Sequence, residues 1–366
     1  MFNKKNQYLS IDIGNKNIKI VNGRLNNQKL EILQYDILET PINSISDGKI
    51  INLKNIVGII QESIEKVKIK SDKLLLTITG TGVITRDIQI PKGTDSEIAS
   101  IIEFEAQQYF PVDLSNYILD FKVLEEIVNV DGIFYKVLLV AVPIKQAEEH
   151  MKIADLLKLN IEAIDLPANC ISKFIIGNDF LKPKDESLVD LPKEFAVLDI
   201  GAETTGVCIY GNNKLKFNRI LLNGSSDIDK QISYEFNCDI KESESNKIFK
   251  ARIDDEAEKW ELVGDILKIS QISKEIIIKH IEDIARFFEF YNSRTSSNVI
   301  KKIYLCGGGS KLQGLDSFLS NYFSVPVGFL NTSYYNIEYF GDKDIEDLNR
   351  DFVFLVSAIG AIIRSK

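Results

Sequence analysis

Histidine is almost missing from this chain: His150 and His280 are the only two in 366 residues. Chemistry built on imidazole, as general base or metal ligand, has little to draw on. His280 sits among apolar residues of a helical stretch and reads as structural, and His150 reads as a surface helix residue. Cysteine is sparse as well. Cys170, Cys208, Cys238 and Cys306 lie far apart with no C-x-x-C pair, which argues against structural zinc and a disulfide framework. Free buried thiols in a reducing compartment are the plain reading. Long apolar runs are lacking: the longest, Phe352 to Ile363, is well short of the roughly 18 residues of a membrane span. The opening MFNKKNQYLSIDIG has no apolar stretch ahead of its first acidic residue, so no secretory signal is expected. Positive charge is in deficit, with 44 Lys and Arg against 53 Asp and Glu, a net charge of −9. That balance argues against a broad basic face for nucleic acid. What is there is an ordinary globular composition, 45% hydrophobic and 27% charged. A chain of this length buries a core without staples, as one large domain or two ordinary ones.

The first β-prone run is Tyr8 to Ile13, closed by Gly14-Asn15-Lys16-Asn17. Ile18 to Val21 follows at once, and the turns Asn22-Gly23 and Asn26-Asn27 lead into Leu30 to Tyr35, a β-meander. Leu53 to Val67 carries a helical period. Leu74 to Thr79 and Val83 to Ile90 read as strands, and Thr94-Asp95-Ser96-Glu97 is a capping box. The helix it opens carries Ile98, Ile101, Ile102 and Ala106 and stops at Pro111. Two strands follow, Tyr117 to Val128 and Tyr135 to Val142, joined at Asp131-Gly132, so that 74–143 forms one compact unit. Ile144 to Leu157 is helical, Ile161 to Leu166 a strand and Asn169 to Ile176 a helix. The polar stretch Gly177 to Lys193, with two prolines, is the best linker candidate.

The opening pattern then recurs. Phe195-Ala196-Val197-Leu198-Asp199-Ile200-Gly201 has the form of Tyr8-Leu9-Ser10-Ile11-Asp12-Ile13-Gly14, and strands at Gly206 to Tyr210 and Leu215 to Leu221 follow it. A repeat half a chain long is too long for a solenoid and reads as a duplicated domain. A long helix spans about Asp265 to Tyr291. Lys302 to Cys306 is a strand, followed by Gly307-Gly308-Gly309-Ser310 and a helix from Leu315 to Phe323. Phe352 to Ile363 is a final apolar helix.

Each strand-Asp-x-Gly turn suits a polyanion, because glycine lets successive backbone N–H groups turn inward as a nest. An aspartate at the strand end would repel phosphate unless it held Mg²⁺ through water, since that ion keeps most of its hydration. Asp12 and Asp199, one from each half, are expected to face one metal–phosphate group. Two ordinary hairpin turns are the plainer alternative for either turn alone. The triple glycine permits close contact with a flat ring or a phosphate, or merely a tight strand-to-helix turn.

Taken in order, Asp-x-Gly hairpin, interrupting unit, helix, second Asp-x-Gly hairpin, helical insert, strand-Gly-Gly-Gly and the small-residue helix with Ser357-Ala358-Ile359-Gly360-Ala361 resemble the actin-like ATPase superfamily. The resemblance covers nearly the whole chain. It implies an α/β, ribonuclease H-like duplicated fold with two lobes around a nucleotide cleft. The unit at 74–143 lies where the FtsA and PilM proteins carry their 1C subdomain. The string Ile102-Glu103-Phe104-Glu105-Ala106-Gln107-Gln108-Tyr109-Phe110-Pro111, with Asp120-Phe121 and Leu139-Val140-Ala141-Val142, resembles the PilM family of type IV pilus assembly. The implied division is subdomain 1A over 1–73 and 144–192, 1C over 74–143, 2A over 193–222 and 301–366, and 2B over 223–300. FtsA is the nearest rival, but it ends in an amphipathic membrane-targeting helix, and none is expected after Arg364-Ser365-Lys366.

The resemblance implies ATP with Mg²⁺ as ligand. Its phosphates map to Gly14, Asn15, Lys16 and Asn17 after Asp12, and to Gly201, Ala202, Glu203, Thr204 and Thr205 after Asp199. Lys19 has two readings, added charge for the phosphates or, more plainly, a solvated strand lysine. The adenosine motif maps to Gly307, Gly308, Gly309, Ser310 and Leu312, and Glu244 and Lys247 have the spacing of the Glu and Lys that reach ribose and base. A surface i, i+3 ion pair is the alternative for those two. Many actin-like ATPases orient the attacking water with a Glu or Gln near the start of the connecting helix. Pro167 stands there in Ile164-Asp165-Leu166-Pro167-Ala168-Asn169-Cys170, and proline cannot polarise water. ATP is therefore expected to be hydrolysed slowly or not at all, with Asn169 and then Asp165 as candidate substitutes.

The implied partner is the short cytoplasmic N-terminal peptide of a PilN-like inner-membrane protein, captured in extended form by the helix 95–110 and nearby strands. The expected location is the cytoplasm, at the inner face of the membrane through that partner, with neither nucleic acid nor direct membrane insertion. A polymerising FtsA-like division protein and a small-molecule kinase are the alternatives. A kinase needs a carboxylate base near the cleft, and none is evident beyond Asp12. The aromatic cluster Tyr334, Tyr335, Tyr339 and Phe340 reads as packing of a long loop, with a partner surface as the alternative, and Lys241 to Lys250 as a solvated helix.

Overall fold

A computed structural model describes residues 7–26, 29–175, 192–212, 214–253, 263–293 and 299–364. The expected linker at 177–193 lies outside these except for its last two residues. The first half runs β1 (Gln7–Ile13), β2 (Asn17–Asn26), β3 (Lys29–Glu39), β4 (Ile45–Ser46), β5 (Lys49–Ile50), α1 (Leu53–Lys66), β6 (Lys73–Thr77), β7 (Ile84–Pro91), α2 (Asp95–Tyr109), β8 (Tyr117–Asn129), β9 (Gly132–Pro143), α3 (Ile144–Leu157), β10 (Asn160–Asp165) and α4 (Pro167–Ile175). The second runs β11 (Glu194–Ile200), β12 (Thr205–Gly211), β13 (Lys214–Leu221), α5 (Ser226–Phe236), α6 (Ile240–Lys250), α7 (Gly264–Asn292), β14 (Ile303–Cys306), α8 (Leu315–Phe323), β15 (Val327–Phe329), β16 (Ile337–Tyr339) and α9 (Ile345–Ile362).

The duplication is visible in the sheets. One has the order β10-β6-β1-β2-β3-β16 and the other β13-β12-β11-β14-β15. Each opens as an antiparallel meander and extends from its first strand by parallel pairing, β1 to β6 and β11 to β14. Parallel strands need crossovers, and helices supply them. Their apolar stripes then cover the sheets. α4 and α9 lie between the two sheets, where Cys170, Phe174, Phe352, Leu355 and Ile359 join Val21 and Ile32 of one to Val197 and Tyr304 of the other. α1 and α3 cover the outer face of the first sheet, and α5, α7 and α8 that of the second.

The two middle helices touch closely. A Cβ on Gly360 of α9 would lie 2.1 Å from the carbonyl oxygen of Cys170 on α4. α9 begins at Ile345, before the expected Phe352, because its first two turns carry Asp347, Asn349, Arg350 and Asp351 with only Leu348 fully buried. An apolar run detects only the part of a helix that is buried all round.

The unit expected at 74–143 is built as β7-β9-β8 with α2 on one face, after β6 has joined the first sheet. Thr94 and Glu97 form the expected capping box at the start of α2. β16 lies within the aromatic loop and pairs in parallel with β3, while the Tyr335 and Tyr339 rings pack on Phe174 and Tyr35.

His150 corrects the sequence reading: it is 2% exposed rather than a surface residue. It continues the stripe Ala147, Ile153 and Ala154, and its Nδ1 lies 2.8 Å from the Gln146 carbonyl. Burial holds its pKa below the ordinary value, so the ring is kept neutral. His280 reaches Asp227 at 3.2 Å and ties α7 to α5.

Candidate functional site

The two Asp-x-Gly turns have one geometry. Gly14 N–H donates to the Asn17 carbonyl at 3.0 Å, and Gly201 N–H to the Thr204 carbonyl at 2.8 Å. Both turns open into a single cleft of about 830 Å³ between the lobes, within the range of small-molecule sites. Asp12, Gly14, Asn15, Lys16, Asn17, Asp199, Gly201, Ala202, Glu203, Thr204, Glu244, Lys247, Gly307, Gly308, Gly309 and Leu312 all line it. Two expected residues turn away from it. The Thr205 hydroxyl donates to the Asn223 carbonyl at 2.9 Å, and that of Ser310 to the Gly307 carbonyl at 2.6 Å.

The first turn is held from behind by Thr40, whose hydroxyl donates to the Gly14 carbonyl at 2.7 Å and whose N–H donates to the Lys16 carbonyl at 2.9 Å. Asp12 accepts a hydrogen bond from the Thr77 hydroxyl on one oxygen and lies 2.9 Å from the Lys19 ammonium on the other. Lys19 is thus no solvated strand lysine. β1 and β2 pair Asp12 directly with Lys19, so both side chains emerge on the same side at the cleft. Thr77 escaped sequence reading because only the parallel pairing of β1 with β6 brings it there.

Asp199 sits at the equivalent end of β11. Burial, with the like charge of Asp12 adding to it, pushes its pKa up to about 6, against the pull of Lys19 and of the Cys306 thiol. The Lys19 ammonium, 2.9 Å from Asp12, already offsets part of the charge of the two carboxylates. Among the described residues no group of three His, Cys, Asp or Glu side chains is placed to hold a metal directly. Asp12 and Asp199 are the residues that would hold a hydrated Mg²⁺, an ion that needs only one or two carboxylates.

Cross-cleft contacts close the mouth. Asn15 donates its side-chain amide to Glu203, turn to turn. Lys16 lies 2.6 Å from Glu244 on α6 and 3.4 Å from Glu39. Burial works against the charge on Lys16, but the two carboxylates outweigh it and raise its pKa. Glu244 and Lys247 do not pair with each other. Lys247 is buried, 2.7 Å from Asp229 and donating to the Ser225 carbonyl at 3.1 Å. Asp229, unremarked in the sequence, has its pKa raised by burial in spite of that lysine.

The triple glycine meets both neighbours. Gly307 has φ +81°, a conformation open to glycine, and a Cβ there would lie 2.4 Å from the Ile200 carbonyl oxygen. Its N–H donates to the Val353 carbonyl at 2.8 Å, which joins the turn to α9. At the start of α4, Leu166, Pro167 and Ala168 face the cleft. Asn169 and Asp165 do not. Asn169 donates to Asp165 at 2.7 Å and accepts from Lys122 at 2.7 Å, while Asp165 pairs with Lys173 at 2.7 Å. Both candidate substitutes for a water-orienting residue are thus engaged elsewhere.

A family model described as type IV pilus assembly protein PilM matches residues 10–366. The chain belongs to the PilM family. Family membership makes it an actin-like protein of type IV pilus assembly. Solved structures carry the same fold. A PilM-PilN type IV pilus biogenesis complex is similar at TM-score 0.80 and 21% identity, covering 98% of each chain. Ethanolamine utilization protein EutJ of Carboxydothermus hydrogenoformans is similar at TM-score 0.54 and 13% identity, covering 98% of this chain and 89% of its own. MreB5 of Spiroplasma citri bound to ADP is similar at TM-score 0.52 and 13% identity, covering 98% of this chain and 95% of its own. No helix among the described residues is long and apolar enough to cross a membrane.

Proposed function

We infer that this PilM-family chain binds Mg-ATP in the cleft and hydrolyses it slowly or not at all. It serves as a cytoplasmic scaffold of the type IV pilus inner-membrane platform. The observation that carries the reading is the convergence of two equivalent Asp-x-Gly turns and the triple glycine on one cleft. The phosphates lie against the amides of Gly14, Asn15, Lys16 and Asn17 and of Gly201, Ala202, Glu203 and Thr204. Asp12 and Asp199 hold Mg²⁺ through water, and Gly307, Gly308, Gly309 and Leu312 border the adenosine, with Glu244 reaching the ribose. Magnesium supplies charge neutralisation for the phosphates.

The solved MreB5 contains ADP and the solved PilM is paired with PilN, and both support this reading by likeness of fold. The unit of β7, α2, β8 and β9, without the strand β6 that belongs to the first sheet, is the module that captures the cytoplasmic N-terminal peptide of a PilN-like membrane protein, through α2 and nearby strands. It stands as subdomain 1C, beside 1A (1–73 and 144–192), 2A (193–222 and 301–366) and 2B (223–300). The partner brings the chain to the inner face of the membrane.

The test is the fate of bound nucleotide. Protein mixed with Mg-ATP is separated from free nucleotide and the bound fraction identified over several hours, with Asp12→Ala and Asp199→Ala as controls. Retained, intact ATP that both variants lose supports the reading. Turnover on the order of 1 s⁻¹ or more overturns the scaffold assignment in favour of a working ATPase or kinase.

A further inference from the structure

The module formed by β7, α2, β8 and β9 is fixed to the first lobe at its root. The buried Gln146 amide donates to the carbonyls of Gly48 at 2.9 Å and Thr79 at 2.7 Å. Thr81 N–H donates to Asp47 at 2.8 Å. Gly48 has φ +68°, and a Cβ there would lie 1.8 Å from the Thr79 carbonyl oxygen. The hairpin β4–β5, the segment 79–81 and the start of α3 therefore form one block.

The other side of the module reaches the second sheet. Glu125 of β8 lies 3.1 Å from the Lys214 ammonium and 2.9 Å from that of Lys216, both on β13. Each strand is irregular at this place. The pairing of β8 with β9 skips Leu124, and that of β12 with β13 skips Lys216. Bulges of this kind re-aim side chains. The Glu125 side chain is 15% exposed, and the two lysines outweigh its burial and keep its pKa below the ordinary value. β13 continues into the segment 222–226, which packs on the second Asp-x-Gly turn: Ser225 N–H donates to the Gly201 carbonyl at 3.0 Å and Ser226 N–H to that of Ala202 at 2.9 Å.

We propose that Glu125 braces the module against the second lobe, so that opening of the cleft and displacement of the module are one motion. With the root locked to the first lobe, a change of lobe angle must break the Glu125 pairs or carry the module along. The cross-cleft pairs Asn15–Glu203 and Lys16–Glu244 fix the same angle at the cleft mouth. Glu125 is a positioning residue, remote from the nucleotide. Its use in linking nucleotide to partner capture rests on the function proposed above, but the mechanical coupling does not.

The experiment compares full-length wild type, Glu125→Gln, Glu125→Lys and the swap Glu125→Lys with Lys214→Glu and Lys216→Glu. Hydrogen exchange is read first without ligand. Both single variants should speed exchange in β8 and also at the distant turns 14–17 and 201–205, and the swap should restore both. Faster exchange in β8 and β13 alone, with the turns unchanged, overturns the proposal. Mg-ATP affinity is read next. Glu125→Lys should weaken it about fivefold or more, the lower end of ordinary coupling between sites, and the swap should recover it. An affinity within twofold of wild type also overturns the proposal. If wild type binds no Mg-ATP, the nucleotide reading fails, and the ligand-free exchange still decides for or against the brace.

Discussion

Lys16 of the first Asp-x-Gly turn and Glu244 of α6 meet at 2.6 Å from opposite sides of the cleft. The pair joins an ammonium suited to a phosphate with the carboxylate proposed to reach the ribose. Both side chains are partly exposed, 37% and 24%, so water screens the attraction. A double-mutant cycle of Lys16→Met and Glu244→Gln should give a coupling of about 0.5–1 kcal/mol in the denaturant stability of the ligand-free protein. The coupling should shrink in high salt. No coupling at low salt would mean that the lobes are held by other contacts.

Asp199 carries a different signature. Its folded pKa of about 6 lies above the ordinary carboxylate value of 3.8. The native state therefore keeps its proton while the unfolded chain has released it. Stability from this group is fully present below about pH 4 and falls as pH rises to about 6. Asp199→Asn removes the penalty. It should raise the thermal midpoint of the ligand-free protein at pH 7.5 and flatten its pH dependence between 4 and 6, while abolishing stabilisation by Mg-ATP. A lower midpoint at pH 7.5 would show that the ionised carboxylate contributes more than its burial costs.

Gly360 marks a close backbone contact between the two helices that lie between the sheets. Its missing Cβ lets the Cys170 carbonyl of α4 approach α9, and backbone cannot yield there as a flexible side chain would. Gly360→Ala gains helix propensity of about 1 kcal/mol but overpacks the contact, which costs about 1–3 kcal/mol. The net result should be a lower midpoint in thermal or urea unfolding, and a stabilised variant would show that the helices can separate freely.

These three sites differ in how far sequence reveals them. The Asp-x-Gly turns and the triple glycine are local signals, since the residues that shape the backbone are also the residues that line the cleft. The small-residue pattern around Gly360 is also local, although its partner Cys170 is not. Lys19 and Thr77 act through strand pairing, so a lysine with an ordinary strand neighbourhood became the ion partner of Asp12. His150 is a polar residue whose spacing from Ala147, Ile153 and Ala154 puts it on the buried stripe of α3, which residue type alone does not show. Asn169 has the right residue type near the right place, but the helix turns it toward Asp165 and Lys122 rather than the cleft.

The orientation of that helix start makes the last prediction sharp. Pro167 is the first residue of α4, a position that proline favours because its missing N–H would be unpaired anyway. It faces the cleft between Leu166 and Ala168, with no polar side chain of this segment beside it. A carboxylate or amide introduced here would point into the cleft without rebuilding the helix, since N1 tolerates most residues. Pro167→Glu and Pro167→Gln should speed single-turnover hydrolysis of bound ATP by about tenfold or more, given that a positioned acid–base group contributes roughly 10²–10⁴-fold when its geometry is good. ATP affinity should stay within a few-fold. Asn169→Ala should leave the rate unchanged, because that side chain is committed to Asp165 and Lys122. If Asn169→Ala lowers hydrolysis while the Pro167 variants do nothing, the water is oriented from a rearranged α4, and Pro167 does not set the rate.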